Sequence, residues 1–129
     1  MKIAMIGTGY VGLVSGVCFS DFGHDVICVD KDPRKIERLN AGEVPIFEPG
    51  LEALMAKNVA AGRLTFTLDL AAAVQGADAV FIAVGTPTRR GDGHADLVYV
   101  YAAAEEVARA ATDYVVIVTK STVASVKVV

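Results

Sequence analysis

Short apolar runs alternate along the chain with longer segments in which apolar residues recur at helical spacing. The runs predict strands, and Asp78–Val84 is so uniformly apolar that it fits a central parallel strand buried on both faces. The predicted strands are Met1–Gly7, Asp25–Asp30, Leu64–Leu68, Asp78–Val84 and Tyr114–Val118. This alternation of strand and helix predicts an α/β fold.

The same pattern predicts where helices begin and which residues form their apolar stripes. Asp32, Asp69 and Asp96 each precede a helical segment and are predicted N-caps, and Pro33 fits the first position of its helix. Glu43–Gly50 contains two prolines and predicts a structured loop. The predicted stripes are Val11, Val14, Ser15, Cys18, Phe19 and Phe22 in the first helix, Leu51, Leu54, Met55 and Val59 in the third, and Leu97, Val100, Ala104, Val107, Ala108 and Ala111 in the last.

The predicted fold is Rossmann-like: a doubly wound parallel sheet in the strand order 3-2-1-4-5, with right-handed crossovers. In such a sheet, ligands bind beyond the carboxyl ends of the strands, where the order reverses between the first and fourth strands. That edge is expected to collect the turn after the first strand, Asp30, Gly85–Thr88 and the pair Ser121-Thr122. The sequence therefore predicts a ligand site at this edge.

The turn after the first strand reads GTGYVG from residue 7 to residue 12, and a helix, a second strand and an acid follow it. This order is typical of a dinucleotide-binding unit. Gly7 allows a tight turn, Gly9 lets a diphosphate approach the backbone, and Gly12 lets the helix pack close to the sheet. The N–H groups near Tyr10 and Val11 are expected to face the diphosphate. The alternative is a glycine-rich turn that binds nothing.

Asp30 ends the second predicted strand and is expected to accept hydrogen bonds from the hydroxyls of an adenosine ribose. Its charge would repel a 2′-phosphate, which favours NAD over NADP, whereas the basic residues Lys31 and Arg34 would tolerate a phosphate. Lys35 lies one turn into the next helix, either beside the adenosine or as a solvated surface lysine.

Two threonines follow strands at the same edge of the predicted sheet. The hydroxyls of Thr86 and Thr122 are predicted to bond the ribose or nicotinamide end of the cofactor. In the alternative, each hydroxyl satisfies only its own turn.

Composition limits the other function classes. With 129 residues, 53% of them hydrophobic, the chain fits one soluble domain over residues 1–129. A net charge of −3, from 12 basic and 15 acidic residues, gives no case for nucleic acid or an anionic membrane. No apolar run spans a bilayer, and the N-terminus enters a strand without a signal peptide. Cys18 and Cys28 lack metal-like spacing, so we expect reduced thiols, no metal site and a cytoplasmic protein.

Between Met1 and Val123 the chain contains the segments MKIAMIGTGYVGL, VICVDKDPRKIERLNAG, PIFEPGLEAL, VFIAVGTPT and VTKSTV. In order and spacing, these segments resemble the N-terminal NAD-binding domain of the UDP-glucose/GDP-mannose dehydrogenase family. The lysine of VTKSTV favours the UDP-glucose branch over the GDP-mannose and N-acetylmannosamine branches.

The resemblance implies an enzyme that oxidises the C6 alcohol of UDP-glucose twice, to UDP-glucuronate, with two NAD and a cysteine that captures the aldehyde. It also implies an auxiliary catalytic role for Thr122, which helps to position water, and packing of Glu48–Leu51 near the nicotinamide. The residues implied to contact NAD are Val11, Asp30, Lys35, Thr86 and Thr122.

The chain departs from the family pattern after Val123, where it reads ASVKVV instead of continuing with proline and Gly-Thr. A sixth strand is also missing, and the resemblance places the family's catalytic cysteine, lysine and aspartate far beyond residue 129. Neither Cys18 nor Cys28 matches that cysteine, because both fall inside the first strand–helix–strand unit. We therefore expect a fragment of a longer, homodimeric enzyme that binds NAD but catalyses nothing alone. The alternatives are a free-standing NAD-responsive regulatory module, another nucleotide-sugar dehydrogenase, or a scaffold that mediates assembly.

Overall fold

The computed structural model describes residues 1–86 and 97–120. The strands are β1 (Lys2–Ile6), β2 (Asp25–Val29), β3 (Leu64–Thr67), β4 (Ala79–Ile82) and β5 (Val116–Thr119). The helices are α1 (Tyr10–Asp21), α2 (Pro33–Asn40), α3 (Leu51–Ala60), α4 (Leu70–Val74) and α5 (Val98–Ala110). All five strands pair in parallel in the order β3-β2-β1-β4-β5, so the predicted fold and strand order are confirmed.

Successive side chains of β1 enter two different cores, because neighbouring residues of a strand point to opposite faces of the sheet. Ile3 and Met5 pack with residues of α1, α2 and α3 on one face. Ala4 and Ile6 pack with residues of α4 and α5 on the other. The sheet is therefore covered by helices on both sides. Because β1 is the central strand, it ends in the middle of the carboxyl edge of the sheet.

Two of the three predicted aspartate caps are confirmed. The Asp32 carboxylate accepts a hydrogen bond from the Arg34 backbone N–H at 2.9 Å, with Pro33 opening α2. Asp69 accepts from the Ala72 N–H at 3.1 Å and caps α4. In α5 the N-cap position falls on Leu97 instead of Asp96, which lies outside the described residues.

The predicted apolar stripe of α1 is wrong in part. Val11 and Phe22 are 41% and 76% exposed. Gly12 and Gly16 have no side chains, so the helix lies on its glycine face, and a Cβ at Gly16 would come within 2.8 Å of the Cys28 sulfur. The buried residues are Gly12, Leu13, Gly16, Val17 and Ser20, with Val14, Ser15, Cys18 and Phe19 half-buried beside them.

The stripe of α3 contains a buried polar residue that the apolar pattern does not predict. Val59 is 44% exposed, whereas Asn58 is fully buried. The Asn58 amide donates to the Asp21 carboxylate at 3.2 Å and to the Leu54 carbonyl at 2.9 Å. Its oxygen accepts from the Arg63 guanidinium at 2.9 Å. Since every polar atom of the amide has a partner, its burial is compatible with a stable core.

The inward face of α5 is also shifted from the prediction. Val100 and Val107 are buried as expected, but Ala103 is buried and Ala108 is exposed. Leu97, Ala104 and Ala111 lie at the margin of this core, half-buried. Ala108 faces outward because it follows Val107, and each residue of a helix turns the side chain by about 100°.

The close approach of α1 to the sheet generates a stability prediction. Replacing a helical glycine by alanine normally stabilises a helix by about 1 kcal/mol. Gly16→Ala is instead expected to lower the free energy of unfolding by about 1–3 kcal/mol, because its methyl group overpacks against the buried Cys28 thiol.

In a Cys28→Ala background, the same Gly16→Ala change should be neutral or stabilising. Urea unfolding of the four proteins measures both values. An equal loss of stability in the two backgrounds would show that the sulfur atom is not the obstacle.

Candidate functional site

A cleft of about 1030 Å³ opens at the carboxyl edge of the sheet, where the strand order reverses between β1 and β4. One wall is formed by the glycine turn after β1 and by Asp30 after β2. The opposite wall is formed by the start of α4 and by one side of α5. Gly85 and Thr86, which follow β4, and Lys120, which follows β5, complete the lining. The cleft lies at the edge where the sequence predicts a ligand site.

The glycine turn has the backbone geometry that its sequence predicts. Gly7 has a φ of +107°, and a Cβ there would lie 2.5 Å from the Ala83 carbonyl oxygen. A Cβ at Gly12 would overlap the carbonyl oxygen of Gly7, so only glycine allows α1 to begin this close to β1. Gly9 differs from both, because a Cβ at that position would meet nothing within 4 Å. Gly9 therefore borders open space at the floor of the cleft.

The N-terminus of α1 is open toward the cleft. Its N-cap is Gly9, no side chain caps it, and its first turn contains no acidic residue. In contrast, α2 and α4 are capped by Asp32 and Asp69. The first N–H groups of a helix lack intrahelical partners and lie at the positive end of its dipole. The turn from Gly9 to Val11 is thus suited to hold an anion.

Asp30 is fixed beside this turn by three hydrogen bonds. One carboxylate oxygen accepts from the Thr8 hydroxyl at 2.6 Å and from the Thr8 N–H at 3.1 Å, and the other accepts from the Asp32 N–H at 3.0 Å. Partial burial acts to raise the pKa of the Asp30 carboxyl. The hydrogen bonds and the charge of Lys35 outweigh burial and lower the pKa below its usual value. Asp30 is therefore an ionised acceptor at neutral pH.

Most of the other predicted site residues also lie in the cleft. Tyr10, Val11, Lys35 and Thr86 contribute to its lining, together with Gly7, Gly9 and Asp30. Gly12 lies beneath the turn and acts through packing. Ser121 and Thr122 fall outside the described residues. Contact of any of these residues with a cofactor stays a prediction.

Tyr10 connects the cleft to the loop between α2 and α3. Its hydroxyl donates to the Glu48 carboxylate at 2.5 Å. This hydrogen bond and the charge of Glu48 raise the pKa of the Tyr10 phenol, which stays protonated as the donor. The loop predicted to pack near a cofactor is thus attached to the first residue of α1.

Sequence reasoning missed Thr8, which is 2% exposed and holds Asp30 in place. The sequence does contain an indication of this role, because Thr8 lies between two glycines of the turn and its hydroxyl is within reach of the residue that follows β2. It also missed the wall contributed by α5, including Tyr99, Ala103 and Glu106. These residues belong to a helix distant in the chain, so no local pattern predicts their place.

The two cysteines are not part of the cleft. Cys28 is fully buried under α1, and burial raises its pKa to about 12. Cys18 is half-buried on α1, and both thiols are free. Among residues 1–86 and 97–120, no group of three or more His, Cys, Asp or Glu side chains could hold a metal ion. In the same part of the chain, no helix is both long and apolar enough to cross a membrane.

Comparison with known proteins agrees with this architecture. Residues 1–128 match the model of the UDP-glucose/GDP-mannose dehydrogenase family, NAD binding domain. The chain belongs to this family. It is an NAD-binding domain of the nucleotide-sugar dehydrogenase type, and its family members are oxidoreductases.

Two curated relatives illustrate the similarity. UDP-glucose 6-dehydrogenase from Rhizobium meliloti (strain 1021) is 70% identical over 123 residues, which are 95% of this chain and 28% of the relative. UDP-glucose 6-dehydrogenase TuaD from Bacillus subtilis (strain 168) is 54% identical over 122 residues, 95% of this chain and 26% of the relative. The chain thus spans about a quarter of the length of the curated relatives that it matches.

Solved structures share the fold. GDP-mannose dehydrogenase from Pseudomonas aeruginosa, solved as a ternary complex, has a TM-score of 0.90 and 42% identity over 95% of this chain and 29% of that chain. A UDP-glucose dehydrogenase from the archaeon Pyrobaculum islandicum has a TM-score of 0.88 and 45% identity over 94% of this chain and 28% of that chain.

The bonds of Thr8 to Asp30 generate a pH prediction. Because the folded pKa of Asp30 lies below the unfolded value of about 4, its ionised form stabilises the fold above that pH. This contribution is lost as the pH falls through the folded pKa. Thr8→Val removes the hydroxyl donor, so it should raise the Asp30 pKa and cost about 1–2 kcal/mol of unfolding free energy near neutral pH.

Thr8→Ser keeps the hydroxyl and is the matched control. Carbon-13 NMR titration of the Asp30 carboxyl measures its pKa in each variant. An Asp30 pKa that is the same in the valine and serine variants would contradict the assigned role of the hydroxyl.

Proposed function

We propose that this chain is the NAD-binding part of a UDP-glucose 6-dehydrogenase, which oxidises UDP-glucose to UDP-glucuronate in two successive NAD-dependent steps. The observation that carries the cofactor part is the uncapped N-terminus of α1 directly beside the ionised carboxylate of Asp30. The choice of UDP-glucose is supported by 70% identity to the Rhizobium meliloti enzyme, against 42% to the Pseudomonas aeruginosa GDP-mannose dehydrogenase.

The residues of the cleft fit NAD. The amides at Tyr10 and Val11 would hold the diphosphate, which can approach because Gly9 leaves open space where a side chain would stand. Asp30 would accept hydrogen bonds from the adenosine ribose, since Thr8 and Asp32 fix its orientation. When bound, NAD accepts a hydride from the alcohol carbon.

The two ends of the cofactor are assigned to opposite sides of this turn. Lys35 lines the cleft near Asp30 and would lie beside the adenosine. Thr86 follows β4 and would bond the ribose or nicotinamide end. Thr122, to which we assign further NAD contact and the positioning of water near the reacting carbon, belongs to the part of the chain that is not described.

We further propose that residues 1–129 bind NAD without oxidising the sugar. Covalent capture of an aldehyde needs an accessible thiolate. Cys28 is fully buried with a pKa of about 12, and neither Cys28 nor Cys18 lines the cleft. The remaining catalytic groups would come from further residues of a homodimeric enzyme. Turnover of UDP-glucose by the 129-residue chain would contradict the proposal that this chain does not oxidise the sugar.

The two free thiols, Cys18 and Cys28, support a location in a reducing compartment, which we propose is the cytoplasm.

Replacing Asp30 tests the cofactor assignment. Asp30→Asn should weaken NAD binding by about 1–3 kcal/mol, because charge-assisted hydrogen bonds to the ribose hydroxyls are lost. Isothermal titration calorimetry with NAD measures the dissociation constant.

Asp113→Asn is the control, because it removes the same charge from the loop before β5, at the opposite edge of the sheet. The control should bind NAD like the unmodified chain. Equal NAD affinities of the unmodified chain and the two variants would show that Asp30 does not contact NAD. If the unmodified chain did not bind NAD, the proposed function would be rejected.

A further inference from the structure

An ion pair crosses the adenosine end of the cleft. The Lys31 ammonium lies 2.5 Å from a carboxylate oxygen of Glu106. Lys31 directly follows Asp30 at the exit of β2, whereas Glu106 lies on α5, 75 residues further along the chain. Both residues line the cleft. The pair therefore joins the two walls of the cleft beside Asp30, with the ammonium held against α5.

The ion pair with Glu106 determines where the Lys31 ammonium lies. NADP differs from NAD by one phosphate on the 2′-oxygen of this ribose, and proteins that accept NADP hold that phosphate with a basic side chain. Lys31 is the basic residue next to Asp30 in the chain, and its side chain is 73% exposed, so it has room to turn toward a phosphate. Its contact with Glu106 holds the ammonium on the α5 side of the cleft instead.

The other basic side chains of the cleft are placed differently. The charge of Lys35 contributes to lowering the pKa of the Asp30 carboxyl, so this ammonium already interacts with a carboxylate. Arg109 pairs with Glu105 on its own helix at 2.6 Å. Lys120 follows β5, on the far side of β4 from Asp30. Among the basic side chains of the described residues that line the cleft, Lys31 is thus the one that directly follows Asp30 and is paired with a residue of the opposite wall.

We propose that Glu106 is a specificity-determining residue for the cofactor, which disfavours NADP by holding Lys31 away from the 2′-position. The inference rests on the proposed NAD function of the cleft. Glu106 is a positioning residue in this account, because it acts through Lys31. Asp30 repels the 2′-phosphate directly, and the Lys31–Glu106 pair prevents a neighbouring lysine from offsetting that repulsion.

The test is the ratio of the dissociation constants for NADP and NAD, measured by calorimetry at low salt. Glu106→Gln is expected to lower this ratio by about five- to tenfold, since a freed ammonium can approach the phosphate. Added salt of about 0.5 M should shrink the change, because the interaction is exposed and electrostatic. Glu43→Gln is the matched control: it also breaks an exposed ion pair, with Arg38, but neither residue lines the cleft.

A Lys31→Met background separates release of the lysine from simple loss of a negative charge. We expect Glu106→Gln to leave the ratio unchanged in that background. An unchanged ratio in Glu106→Gln alone would overturn the inference, and so would an equal change with and without Lys31. NAD binding by the unmodified chain keeps the proposed function intact in either case, whereas absence of NAD binding would reject both.

Discussion

Backbone contact between Gly7 and Gly12 fixes where the first helix begins relative to the sheet. A side chain at Gly12 would overlap the carbonyl of Gly7, and one at Gly7 would meet the carbonyl of Ala83 after β4. The ends of β1 and β4 and the start of α1 are therefore packed against one another without intervening side chains. As a result, the uncapped N–H groups of α1 lie directly at the carboxyl edge of the sheet, where the cleft opens.

The strand order turns this local contact into a site. Because β1 lies between β2 and β4, the residues that follow these three strands meet at one edge. Asp30 arrives there from β2 and is tied to the glycine turn by Thr8, whereas Thr86 arrives from β4. The helices α4 and α5 pack on one face and supply the second wall, so the ion pair of Lys31 with Glu106 spans the gap. Each contribution depends on the position of β1.

The glycine turn could be predicted from the sequence because its signal is local, and the strand order could be predicted because alternating strands and helices with right-handed crossovers leave few topologies. An aspartate before a helical segment is also a local signal, and Asp32 and Asp69 cap their helices as predicted. The buried face of α1 could not be predicted from apolar spacing, since the helix contacts the sheet through glycines and leaves Phe22 exposed. The pairing of Lys31 with Glu106 could not be predicted either, because 75 residues separate them.

The central claim is that the first turn of α1 holds a diphosphate through its backbone nitrogens. A crystal structure of the chain grown with NAD tests it most directly. The account predicts diphosphate oxygens within about 3.2 Å of the N–H groups of Tyr10 and Val11. A structure in which this turn is empty while NAD occupies another part of the molecule, or in which side chains fill the turn, would contradict it.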